Sequence, residues 1–159
     1  MTEHHPPPPT GPADEDRAAG GELDRLLARV REMTEHSAQP LADEDREALR
    51  HLLPEAERRA AIEEVGFDED RRLALAVHLA AYLRRARTGE ELEPLGPELL
   101  AEVGAPRLAA AREVIARQDA ATGRRGAPGG DRVDPEVLLL ALHFETAWQL
   151  SHHLQVETN

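Results

Sequence analysis

From Glu22 onward, apolar side chains recur at intervals of three and four, the spacing that puts one face of a helix against a core. Leu23, Leu26, Leu27, Val30 and Met33 predict an amphipathic helix running to about His36, and Pro40 separates it from the next. A second helix is expected over about 42–53. Pro54 either opens a short third helix ending at Gly66 or kinks a continuous one, and the break is preferred because proline lacks the N–H that a continuous helix needs. Asp68 is the N-cap of a long helix carrying Leu73, Leu75, Val77, Leu79 and Leu83, with Gly89 as its C-terminal stop. Pro97 and Gly104 bracket a short helix around ELLAEV, and Pro106 and Gly123 bracket another with Leu108, Ala109, Val114, Ile115 and Ala116 as its apolar positions. Asp134-Pro135-Glu136 opens the last helix, which continues through His143 to about Val156.

Two segments fall outside this pattern. Residues 1–21 combine Pro6 to Pro9 with Gly, Ala and acidic residues, too little apolar surface to offset the entropy of ordering, and are expected to form a disordered tail before a single helical domain over 22–159. The glycine-rich stretch from Gly123 to Val133 reads as a surface loop whose arginines, Arg124 and Arg125, could meet phosphate but are expected to be solvated.

Composition narrows the picture. The chain has 159 residues and only 3% aromatics, so its one core is built from Leu, Ala and Val, which favours an all-α fold. The formal net charge of −12 disfavours direct binding to DNA or RNA, whose counterions must be displaced by protein cations. No cysteine is present, which removes disulfides, thiolate metal sites and thiol nucleophiles together. No signal peptide and no apolar run of membrane-spanning length occurs, so the expectation is a cytoplasmic protein.

The candidate chemistry rests on two histidines in similar apolar helical settings, His78 in LALAVHLAAYLRR and His143 in EVLLLALHFETAW. An imidazole placed there is either a hydrogen-bonded core residue or an accessible nucleophile or ligand. A metal is the rival use, with His143, His152, His153, Glu136 and Glu145 as possible ligands, but His143 and His153 lie nearly three turns apart and no H-E-x-x-H pattern occurs, so no metal is expected. No acid–base pair or oxyanion arrangement marks an enzyme, and no cofactor is implied.

The stretch from about Phe67 to Trp148 resembles the PTS regulation domain (PRD), the helical module through which the bacterial phosphotransferase system controls antiterminators and activators. The family's histidine followed by an arginine seven residues on is matched by His78 and Arg85 in HLAAYLRR. Its acidic turn leading to Asn-Pro-Leu is matched by Glu90 to Leu95, with Glu93 in place of the asparagine. Its closing signature, a glutamate seven before a histidine and an alanine four after, is matched by Glu136, His143 and Ala147.

The resemblance implies a compact all-α bundle of about five to six helices in which His78 and His143 are reversible phosphoacceptors served by phosphohistidine on HPr or an enzyme IIB component. It further implies that Arg85, Arg84 and Glu136 support the added phosphate, and that homodimers form. In well-known members an attached RNA- or DNA-binding domain delivers the output, and none is recognisable here. The expectation is therefore a stand-alone, non-enzymatic PRD-like protein that signals through an unidentified protein partner. The alternative is a helical interaction scaffold whose histidines are structural.

Overall fold

The computed structural model describes residues 12–123 and 134–157, and the described residues form six helices and no strand. They are α1 (Pro12–Thr34), α2 (Asp43–Ile62), α3 (Glu69–Thr88), α4 (Pro97–Ala101), α5 (Ala105–Thr122) and α6 (Pro135–Glu157). The all-α bundle is as the composition requires. Residues 1–11 of the expected tail, and Arg124 and Arg125 of the expected loop, lie outside the described residues.

Local chemistry sets most helix ends. The Asp68 carboxylate accepts a hydrogen bond from the Arg71 backbone N–H at 2.7 Å, satisfying one of the donors left over in the first turn of α3. Gly89 and Gly123 adopt the left-handed conformation, at φ 81° and 74°, and so close α3 and α5 as glycine does without a Cβ penalty. Asp134 caps α6 by accepting from the Glu136 N–H at 2.9 Å, with Pro135 at the first helical position.

Four expectations about the helices need correction, Met33 among them. The first helix begins at Pro12 rather than Glu22, so residues 12–21 belong to α1 and not to a tail. Proline suits a first helical position, and the Ala- and acid-rich residues that follow are compatible with a first turn. Pro54 does not break the chain either: α2 runs through it. Leu49, Leu52 and Leu53 before it and Ala56 and Ala60 after it are all buried on one stripe, and that shared burial outweighs the one backbone bond that proline forgoes to the Arg50 carbonyl. In α5 the buried stripe is Ala110, Ala111, Val114 and Ile115, while Ala109 and Ala116 face outward.

The core joins these stripes. Leu26, Leu27 and Val30 of α1 share one cluster with the α2 stripe, Leu75, Leu79 and Leu83 of α3, and Leu140, Phe144 and Ala147 of α6. Met33, expected inside, is 59% exposed. The Tyr82 hydroxyl donates to the Asp119 carboxylate at 2.7 Å, a buried link from α3 to α5. Packing of α3 against both α2 and α6 sets α3 in the middle of the bundle, and the α3–α6 seam is where both histidines fall.

Candidate functional site: the α3–α6 seam

His78 on α3 and His143 on α6 stack face to face, with ring centroids 4.7 Å apart and planes inclined by 29°. Seven residues after His78, Arg85 meets Glu136, seven residues before His143. Two contacts at opposite offsets from the same pair require α3 and α6 to run antiparallel, with two turns, about 10 Å, between the levels. The two seven-residue spacings are therefore the two halves of one register.

The Arg85–Glu136 contact is bidentate: Nε donates to Oε1 at 2.6 Å and Nη2 to Oε2 at 2.9 Å, with both side chains nearly buried at 11% and 6% exposure. A planar fork matched to a carboxylate fixes the relative height and rotation of the two helices. Arg85 is thus committed to Glu136 and does not reach across to an imidazole as a free cation. Arg84, its neighbour, turns to another face of α3. It lines a groove with Thr34, Leu41, Val77 and Ala81, and its Nη2 lies 3.5 Å from Glu90.

Both imidazoles are half-buried. Their environments push them toward the neutral form. For His78, burial first, then the adjacent His143, then Arg85 lower the pKa to about 3. For His143, burial first and then the Arg71 guanidinium lower it from the ordinary imidazole value. A neutral imidazole keeps a lone pair on one nitrogen, which makes it a nucleophile near neutral pH. Among the described residues neither ring is hydrogen-bonded to the main chain or to another side chain. His78 Nε2 is enclosed without a partner, whereas His78 Nδ1 and both nitrogens of His143 are not so enclosed.

The other histidine-rich end of α6 is spent on packing. His152 Nδ1 lies 2.8 Å from the Trp148 carbonyl, its ring sits 4.2 Å from the indole, and Arg107 covers that indole at 4.1 Å. Glu145 accepts from Arg107 Nε at 2.7 Å and from the Gly104 N–H at 3.1 Å. Glu136 and Glu145 therefore each hold an arginine, and the described residues contain no group of three or more His, Asp or Glu placed to hold a metal ion.

One charged neighbour of the site, Arg71, escaped the sequence reading. It stands seven before His78 on the same face of α3 as His78 and Arg85, and that repeat of seven is the signal that would have found it.

No protein-family model matches the chain, and no curated protein does. Among solved structures, the chain is similar to a PRD-containing transcription regulator from Lactobacillus casei ATCC 334, at 28% sequence identity and a TM-score of 0.55. The match covers 76% of this chain and 92% of that one. The fold is PRD-like. Nearly the whole length of that regulator is spanned, so the PRD-like bundle here extends beyond the stretch from Phe67 to Trp148 in which the sequence resemblance lay. No helix among the described residues is long and apolar enough to cross a membrane.

Proposed function

We propose that this PRD-like bundle is a regulatory module that accepts a phosphoryl group on a seam histidine from a phosphotransferase-system phosphocarrier, HPr or an enzyme IIB component, and signals the change to a protein partner. The observation that carries this reading is the stacked, neutral, otherwise unbonded imidazole pair held in register by a buried arginine–glutamate fork. Core histidines in a purely structural bundle satisfy their nitrogens with carbonyls or carboxylates, since an unpartnered buried polar atom costs about 1–3 kcal/mol. These two do not.

Transfer needs little from the acceptor beyond position and charge state. The lone-pair nitrogen of a neutral imidazole attacks phosphorus, a new N–P bond forms, and the donor's imidazole leaves with the electron pair of the bond that breaks. The transcription-regulator character of the L. casei protein supports a regulatory rather than catalytic output. Incubation of the protein with phosphoenolpyruvate, enzyme I and HPr, followed by site mapping, tests the reading. Label on His78 or His143 is the expected result, and its absence from both with cognate components rejects it.

A further inference from the structure

The two histidines are not equivalent, and the seam around them is electrically lopsided. Toward the C-terminal end of α3, Arg85 is neutralised by Glu136. Toward the N-terminal end, the antiparallel register sets Leu150, 42% exposed, at the level of Arg71, so α6 offers no carboxylate there. Arg71 is half-buried and, among the described residues, has no carboxylate within ion-pair distance.

Its neighbours are differently engaged. Arg72 pairs with Glu57, Glu69 faces Arg29, and the Asp68 carboxylate is bonded to the Arg71 main chain, which leaves Asp70, pointing outward and exposed. An arginine in the first turn also works against the helix dipole. Arg71 is thus a poorly compensated cation in a place where helix stability gains nothing from it, and its field reaches His143.

Resting on the phosphoacceptor reading above, we infer that His143 is the seam's phosphoacceptor, that Arg71 is the cation that receives the phosphoryl oxygens, and that His78 is a positioning residue whose ring backs the acceptor. Of the four seam ring nitrogens, His78 Nε2 alone is closed off within the protein without a partner, which leaves His78 one open nitrogen, Nδ1, and His143 two. A phosphoryl group arriving at His143 brings about two negative charges into a seam where, among the described residues, Arg71 is the guanidinium without a carboxylate partner.

Phosphoramidate tests this without any protein donor, because the imidazole nitrogen displaces ammonia, which leaves with the electron pair of the broken P–N bond. Labelling is followed site by site by mass spectrometry, with His51, whose side chain is 79% exposed, as internal reference. In the unaltered protein His143 is expected to gain label at least about tenfold faster than His78, a comparison that needs no variant to fold. Arg71→Gln is expected to slow His143 relative to His51 by about fivefold, with partial recovery in Arg71→Lys, as removal of a nearby cation from a desolvated anion implies. Equal labelling of the two seam histidines, or an unchanged ratio of His143 to His51 in Arg71→Gln, overturns the inference. A His143 reactive to phosphoramidate yet never labelled through HPr sinks the phosphotransfer reading while leaving the asymmetry of the pair intact.

Discussion

Acidification should destabilise this protein well above the pH at which carboxylates are protonated, and the seam sets the size of the effect. In the unfolded chain His78 takes up a proton near its ordinary pKa of 6.5, whereas in the folded seam it stays neutral until about pH 3. Between those values the unfolded state binds more protons, so the His78 contribution is complete above pH 6.5 and is lost steadily as pH falls. Lowering the pH to about 5 spans roughly 1.5 units, which at about 1.4 kcal/mol per unit gives about 2 kcal/mol. Because the ring is only half-buried and water screens part of its surroundings, the expected loss is about 1–2 kcal/mol. His143 shifts in the same direction and adds to it with the same sign. Urea denaturation followed by circular dichroism at a series of pH values measures the slope, and His78→Gln separates its source. The variant should be less sensitive to pH between about 5 and 6.5 than the parent. Parallel curves for the two proteins across that window would refute the claim that the folded seam keeps His78 neutral.

Other consequences follow from the same contacts. Glu136→Leu leaves Arg85 buried without its carboxylate and should cost about 3–5 kcal/mol in urea denaturation, whereas Arg85→Met with Glu136→Leu should recover most of that loss. Phe144→Ala empties a fully enclosed ring site against Phe67 and should cost about 3–5 kcal/mol by the same assay. Pro54→Ala restores an N–H inside α2 and should raise stability by about 1–3 kcal/mol, read as a higher denaturation midpoint. Phosphorylation at the seam should change amide hydrogen exchange more at the start of α3, around residues 69–75, than at its end, around residues 83–88; equal change at both ends would contradict the lopsided charge of the seam.

What could be read from the sequence was what depends on neighbours in the chain. Asp68, Gly89, Gly123 and Asp134 act through their own backbone geometry or through N–H groups two or three residues away, so each marked a helix end correctly. Pro54 was misread for the opposite reason: its local cost is set against burial of Leu49, Leu53, Ala56 and Ala60 by other helices, which no local rule contains. The histidines were found by their apolar settings and by resemblance, and their spacing partners, Arg85 and Glu136, were found with them. That those two bind one another was not legible, because it follows from the antiparallel register of α3 and α6. Arg71 was missed because its significance lies in the missing counter-charge at Leu150, on a helix that begins more than sixty positions later.

That missing counter-charge bears on how a seam phosphate would be felt elsewhere in the bundle. Arg85 acts on the His78 ring, but Glu136 holds its guanidinium at two nitrogens, so at that end of the seam a carboxylate partly cancels the pull on a phosphoryl dianion. An unpaired guanidinium does not cancel, and the pull on new charge is directed toward the first turn of α3. Two cross-helix ion pairs meet α3 near that turn, Arg29 of α1 reaching Glu69 and Glu57 of α2 receiving Arg72, while Arg85–Glu136 and Arg87–Asp45 tie its other end to α6 and α2. A dianion that recruits Arg71 competes for position with those cross-helix contacts, while the fork and the Tyr82–Asp119 bond hold the other half of α3 in place. Under the proposed phosphotransfer, a charge on His143 would therefore be felt most in the α1–α2–α3 corner, which is where the hydrogen-exchange comparison of the two ends of α3 looks for it.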